Sequence, residues 1–164
     1  MNTFTLACQL FSMGFNLLPV VNKKPRVKWK RLQTERNTQQ ELKEWFLFND
    51  FGIGLITGSL SGLVAVDIDD AAALKWFKKV TGDVLSPMFQ KTNSGCHFLY
   101  RHPRSVWKNR QRVNGLRLDV RGDGGFIAIY DDAHNWTSDI FNAAPVMGGV
   151  VSDVLQKKVE FHGE

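Results

Sequence analysis

The stretch LVAVDIDDAA, residues 63 to 72, ends an apolar run in carboxylates. Asp67 and Asp69 flank Ile68, and Asp70 follows at once. In a strand, side chains alternate between faces, so Asp67 and Asp69 point the same way and repel unless something positive lies between them. His97 stands in TNSGCHFLY, and Asp119 in LRLDVRGDGG, with Arg121 two residues on and on the same strand face. Three carboxylates from two strands, with a His and an Arg nearby, have the makings of a metal–phosphate site. Such oxygen ligands suit Mg²⁺ or Mn²⁺, which bind few carboxylates and complete their shells with substrate phosphates and water. With two ions, the natural reaction is in-line attack on the α-phosphate of a nucleotide.

Taken singly, each piece has a plainer explanation. Asp69 or Asp70 can cap the helix that follows. A lone histidine in a strand is more often structural, and RGDGG reads as a tight turn whose glycines supply positive φ. Their occurrence in this order, each beside an apolar strand, is more specific than any one of them.

The elements that must position these residues follow from periodicity and turn chemistry. FTLACQLFSMG has helical spacing and stops at Gly14; FNLLPV reads as a strand, and a basic loop with Pro25 follows. Thr38 and Glu41 have the spacing of a capping box, which predicts a helix from about Gln39 to Phe48. FGIGLITG and LVAVDID are expected to pair as a hairpin through SLSG. DAAALKWFKKV is a helix with acidic residues at its start and lysines at its end. MFQKT and CHFLYRH form a second hairpin through NSG, and GLRLDVR and FIAIY a third through GDGG. Beyond Tyr130 the pattern weakens, with APVMGG a loop and VSDVLQKKVEF a terminal helix. Trp45, Phe46, Trp76 and Phe77 lie at helical spacing and read as core, whereas Lys78 and Lys79 read as surface. The expected architecture is a single α/β domain with a mixed or antiparallel sheet.

The 164 residues suffice for a real core, and 43% hydrophobic with 23% charged residues is ordinary for a globular protein. No apolar run approaches the ~20 residues of a membrane helix, and the start lacks the basic region of a signal peptide; a cytoplasmic setting and no membrane partner are expected. Cys8 and Cys96 are too few for a disulfide framework and lack zinc-site spacing, so no zinc is expected. The net charge of +5 is concentrated in NKKPRVKWKR (22 to 31) and YRHPRSVWKNRQRVNGLR (100 to 117). Basic clusters that contain tryptophan suit phosphate backbones and stacked bases, which makes Trp29, Trp107, Arg110 and Arg112 candidates for nucleic-acid contact.

From GFNLLPV and KKPRVKWKRLQT, through GIGLITGSLSGLVAVDID and TNSGCHFLYR, to LDVRGDGGFIAIY, the chain resembles the prim-pol (bifunctional primase-polymerase) domain of the archaeo-eukaryotic primase superfamily, in the plasmid and phage branch. The resemblance covers roughly residues 14 to 130 of a domain taken as 1 to 164, with 131 to 164 a weakly patterned C-terminal segment. The first family motif, two acidic residues on one strand, falls on Asp67 and Asp69. The second, a small residue, any residue, then His, falls on Gly95, Cys96 and His97, and the third on Leu118 and Asp119. The resemblance implies an α+β fold, an RRM-like antiparallel or mixed sheet with a small N-terminal α/β lobe and a cleft between them. It implies that Asp67, Asp69 and Asp119 hold two Mg²⁺ or Mn²⁺ ions and that His97 contacts the phosphates of an incoming NTP or dNTP. Ser94, Arg121 and Lys30 become phosphate partners, and Thr57 and Gly58 line the nucleotide pocket. The implied function is template-directed nucleotidyl transfer to a DNA primer or initiating nucleotide, in replication of a mobile element. A helicase or helical accessory module, on this or another chain, is the implied partner. Many relatives carry glycine where Cys96 stands, and on an alternating strand Cys96 points away from His97.

A haloacid-dehalogenase-type phosphatase also uses D-x-D, but the Thr expected two residues after the second Asp is here Ala71. A nucleotide-sugar transferase leaves LDVRGDGG without a task. The alternative from a different class is a non-catalytic nucleic-acid-binding replication module, which the basic clusters favour and the three acidic positions oppose.

Overall fold

In the computed structural model, which describes residues 2–130, 136, 138–147 and 149–157, the chain builds two four-stranded antiparallel sheets. Helix α1 (Thr3–Ser12) starts where the Asn2 side chain accepts the Thr5 N–H, and ends before Gly14, whose φ of 96° turns the chain away. Strand β1 (Asn16–Val21) turns back at Asn22 and Lys23, both at positive φ, into the short β2 (Lys24–Pro25). The basic segment thus begins as a hairpin, not as a loop. A 3₁₀ turn (Lys30–Gln33) leads to α2 (Gln39–Phe46), which opens with both hydrogen bonds of the Thr38–Glu41 capping box. Strand β3 (Gly52–Ile56) then joins β1.

The chain next crosses to the second sheet with β4 (Leu63–Ile68), α3 (Ala71–Thr81), β5 (Phe89–Lys91), β6 (Cys96–Arg101) and β7 (Leu118–Arg121). Asp70 caps α3 by accepting the Ala73 N–H at 2.8 Å. Strand β8 (Phe126–Ala128) returns to the first sheet, and α4 (Ser138–Ala143) and α5 (Gly149–Gln156) follow. The strand orders are β2-β1-β3-β8 and β5-β6-β4-β7. This α+β arrangement is consistent with the primase-like fold that the resemblance implies.

Two of the three expected hairpins do not form. β3 and β4 share only the bridge Gly58–Leu63, because both edges of β3 are taken by β1 and β8. β7 pairs with β4 and β8 with β3, so RGDGG is a crossing between sheets. The hairpin of β5 and β6 forms as expected. Helix α4 was not anticipated, and the end of the expected terminal helix, from residue 158, lies outside the described residues.

The second sheet has two unlike faces. Val64, Val66, Ile68, Cys96, Phe98, Leu118 and Val120 pack with Ala73 and Phe77 of α3 and Leu155 of α5. Leu63, Ala65 and Leu99 face the first sheet and join its core with Leu17, Leu55, Ile127 and the α1–α2 layer. Trp45, Phe46 and Phe77 are buried as expected, and Lys78 and Lys79 are exposed. Along β4 the inward series is Leu63, Ala65, Asp67. The face between the sheets therefore changes from apolar to charged within one strand, and there the cleft opens. Among the described residues no helix is long and apolar enough to cross a membrane.

Candidate active site

The antiparallel registers put Asp119, Asp67, His97 and Gln90 in one row across β7, β4, β6 and β5. Directly opposed residues share a face, so the row looks into the space between the sheets. Asp69 stands two residues beyond Asp67, where its N–H still donates to the carbonyl of Arg117, the residue before β7. A cavity of about 340 Å³ lies over the Asp67–His97 middle of this row, lined from the second sheet by Asp67, Asp69, His97 and Arg121 with the turn Thr92, Asn93 and Ser94, while Asp119 and Gln90 do not line it. From the other side it is lined by Lys23, Trp29, Gly125, Phe126, Ala128 and Tyr130. The lining thus combines carboxylates, aromatic rings and a cation from each sheet, with the Tyr130 ring 6.5 Å from His97 and the Lys23 ammonium over that ring.

The small residue of the SGCH motif has a steric cause. A Cβ on Gly95 would run into the Ile68 carbonyl and lie 3.2 Å from Asp69 Cα, so the 92–95 turn can press against β4 only with glycine there. The Gly95 N–H donates to Thr92 Oγ1, which holds the turn shut. Cys96 faces the opposite core, where burial pushes its thiol up to about 11, so it is no nucleophile at neutral pH.

The 122–125 crossing is fixed by a web of bonds. Thr57 Oγ1 donates to the Gly122 carbonyl at 2.6 Å, and the Thr57 N–H to the Gly125 carbonyl at 2.9 Å. Asn109 accepts the Gly122 N–H and donates to the Asp123 carbonyl. The Asp123 carboxylate meets His102 Nε2 at 2.8 Å and accepts the Trp107 N–H at 3.0 Å. Thr57 and Gly58 therefore stand behind the cavity wall instead of lining it. Gly58, at φ 115°, makes its close approach to Asp123 of this protein.

Asp67 Oδ1 is buried and makes no hydrogen bond, although His97 Nε2 lies 3.2 Å from it out of line. A buried carboxylate oxygen without a donor is costly unless a cation meets it. Burial raises the Asp69 pKa above the usual value, and Asp67 and Asp119 raise it further, only partly offset by Arg117 and His97. Asp119 is otherwise engaged: Oδ1 accepts the Arg112 N–H at 2.9 Å and Oδ2 an Arg121 N–H at 3.1 Å. Among the described residues no three His, Cys, Asp or Glu side chains form a metal cage by themselves. The donor set open to the cleft is instead the pair Asp67 and Asp69. That pair fits a hard cation such as Mg²⁺, which takes one or two carboxylates and finds its other oxygens on substrate phosphates and water.

The nucleic-acid candidates separate. Trp29 lines the cleft and packs edge-on against Phe126, with ring centroids 5.5 Å apart. Trp107 is 1% exposed and belongs to the second core, because the crossing turn closes over it; it is not free to stack on a base. Arg110 pairs its backbone with Val120 and points its Nε at the Gln156 carbonyl of α5. Arg112 is exposed beside Asp119. Ser94 and Arg121 line the cavity as expected, whereas Lys30 is exposed on the 3₁₀ turn outside it.

The cavity cation from the first sheet is Lys23, which sequence reasoning missed. Its pKa is raised, first by hydrogen bonding to Tyr130 and, against some burial, by Asp67 and Asp69. Gln90, Asn109 and Tyr130 were missed as well. The signal for Gln90 was present, since the turn before Gly95 fixes the register that sets Gln90 opposite His97.

Comparison with curated proteins gives no match. The row of motif residues, the glycine-sealed turn and the cleft between sheets agree with a match that spans residues 7–145, most of the chain: it belongs to the Prim-Pol family, the N-terminal domain of bifunctional DNA primase/polymerases.

Proposed function

We propose that the cleft catalyses template-directed nucleotidyl transfer from an NTP or dNTP to the 3′-hydroxyl of a primer or initiating nucleotide on DNA. The observation that carries this reading is the row Asp119–Asp67–His97 with a buried, unbonded Asp67 oxygen facing a cavity whose far wall is aromatic. Asp67 and Asp69 would hold Mg²⁺ or Mn²⁺, and Asp119, which here accepts from Arg121, would be the third carboxylate available to it. Two such ions, when bound, supply activation of the attacking hydroxyl and neutralisation of the triphosphate.

The chain's own residues do the rest. Arg121, Lys23 and His97 surround the space next to the carboxylates and stabilise the negative charge that moves onto the leaving pyrophosphate. Ser94 and the backbone of the 92–95 turn offer hydrogen bonds at the same end. Trp29, Phe126 and Tyr130 form the apolar wall on which a base can lie. No protein side chain is assigned as general base. Initiation without a primer, the helicase or helical partner and the mobile-element setting belong to the same proposal.

The test is extension of a labelled primer on a DNA template with Mg²⁺ or Mn²⁺ and either dNTPs or NTPs, beside Asp67→Ala and Asp119→Ala and with unprimed template in parallel. Metal-dependent extension lost in both variants supports the reading, and products on unprimed template extend it to priming. DNA binding without extension or metal-dependent nucleotide binding would instead favour the non-catalytic replication module.

A further inference from the structure

Gln90 is fully buried on β5, and its amide reaches three partners. Nε2 donates to the Ala128 carbonyl of β8 at 2.6 Å, Oε1 accepts the Tyr130 N–H at 3.2 Å, and Nε2 lies 2.7 Å from His97 Nδ1. The two backbone partners fix how the amide is oriented, because a carbonyl only accepts and a peptide N–H only donates. One hydrogen of the amide nitrogen goes to Ala128, and the other goes to His97. Nδ1 is then the acceptor, so a neutral imidazole carries its proton on Nε2. Nε2 is also the nitrogen beside Asp67, 3.2 Å from Oδ1.

We propose that Gln90 is a positioning residue that locks His97 in the Nε2–H tautomer, so that the cleft meets a hydrogen-bond donor for a nucleotide phosphate oxygen and not a basic lone pair. What the donor is aimed at rests on the nucleotidyl-transfer reading; the tautomer does not. It follows that neutral His97 neither takes the proton of the attacking hydroxyl nor binds a metal through Nε2. Reversing the amide would leave the Ala128 carbonyl and the Tyr130 N–H facing like groups, which is why the lock holds. Because Ala128 is on the first sheet and Gln90 on the second, the same amide also ties the two walls of the cleft together.

Long-range ¹H–¹⁵N spectra of the ¹⁵N-histidine-labelled chain, at a pH where the imidazole is neutral, test this directly. His97 is assigned from the peak lost in His97→Gln. The wild type is expected to show the Nε2–H pattern, and Gln90→Glu, which offers Nδ1 an acceptor, to move it toward Nδ1–H. In primer extension Gln90→Glu is expected to raise the nucleotide KM about 10- to 100-fold, the loss of one hydrogen bond to a charged group, with the primer KM unchanged. An Nδ1–H pattern in the wild type overturns the proposal without any variant. A Gln90→Glu protein that loses thermal stability but keeps the wild-type tautomer also overturns it, since a purely structural role would do that. An inactive wild type with the Nε2–H pattern would remove the reading of the reaction and leave the lock standing.

Discussion

Arg121 and Asp119 stand two residues apart on β7 and hold each other, an Arg121 N–H donating to Asp119 Oδ2 at 3.1 Å. The third acidic residue of the motif set is thus neutralised by the cation that is also placed to meet a triphosphate. The two roles compete, because a carboxylate oxygen that accepts from arginine is not free for a metal. Arg121→Ala is therefore expected to tighten Mn²⁺ binding to the nucleotide-free protein while raising the nucleotide KM about 10- to 100-fold. Calorimetric titration with Mn²⁺ and steady-state extension measure the two effects. Unchanged Mn²⁺ affinity would mean that the pair does not guard the site.

Asp69 shows the cost of clustering carboxylates. Burial first, and then Asp67 and Asp119, raise its pKa above the usual aspartate value of 3.8 in the folded state. A raised folded pKa means that the folded protein binds the proton more tightly than the unfolded chain. The stability this confers is fully present below 3.8 and lost as pH rises through the folded pKa. In metal-free buffer at pH 7, Asp69→Asn should therefore raise Tm, by about 2–4 °C for each kcal/mol of strain relieved. The gain should vanish as the pH falls below 3.8, where wild-type Asp69 is protonated in both states. The same variant should lose at least about 100-fold in extension, the scale on which electrostatic groups act at reacting phosphates. Melting curves across pH with and without Mg²⁺ read both effects.

Much of this site was legible because it rests on local patterns. The capping box at Thr38, the Asp70 cap and the β5–β6 hairpin are set by neighbours in sequence, and all three form. The sheet partners of β3, β4, β7 and β8 were not legible, because strand choice depends on which edges other strands have already taken. Glycine turns such as SLSG and GDGG fit a hairpin and a crossing equally well. Trp107 misled for a related reason: a tryptophan in a basic stretch looks exposed until the turn at Gly122 is seen to close over it. Lys23 was hidden by the expectation of a loop where a hairpin turn sets its ammonium over the Tyr130 ring at the cavity.

The two lysines of the basic segment can be told apart. Both are exposed, but Lys23 lines the cavity and feels Asp67 and Asp69, whereas Lys30 lies outside it. Lys23→Ala is expected to raise the nucleotide KM about tenfold, one charge-assisted contact, and Lys30→Ala to leave it unchanged. Matched extension kinetics at two salt concentrations separate a site contact from general attraction to DNA, because only the latter weakens steeply with salt. Equal effects from both substitutions would return Lys23 to the solvated surface.

Gly95 is where the motif has no steric slack. Gly95→Ala places a Cβ against the Ile68 carbonyl and next to Asp69, so the turn must lift or β4 must shift. About 1–3 kcal/mol of stability should be lost, and extension should fall further than unfolding explains, because Asp69 moves with the strand end. Cys96→Ala is the control, since its side chain lies in the far core and should cost stability alone. Comparing activity per folded molecule for the two variants, by extension against denaturant melts, decides whether the glycine positions the carboxylate.

Trp29 and Trp107 give the last contrast, between a wall of the cleft and a wall of the core. Trp107 is 1% exposed, and its replacement by Ala should cost about 3–5 kcal/mol, as large aromatic truncations do. Trp29 is half-buried against Phe126 in the lining of the cavity. Trp29→Ala should leave Tm within a few degrees of wild type and raise the nucleotide KM by about 5- to 150-fold, the loss of one stacking surface worth ~1–3 kcal/mol in total. Intrinsic fluorescence adds a direct reading, since a nucleotide in the cleft quenches Trp29 far more than the sequestered Trp107. If Trp29→Ala leaves both the nucleotide KM and the nucleotide-dependent quenching unchanged, the base does not lie on this wall. The site would then have to be turned about its carboxylates, with the triphosphate still at Arg121 and Lys23 but the base directed out along the 92–95 turn.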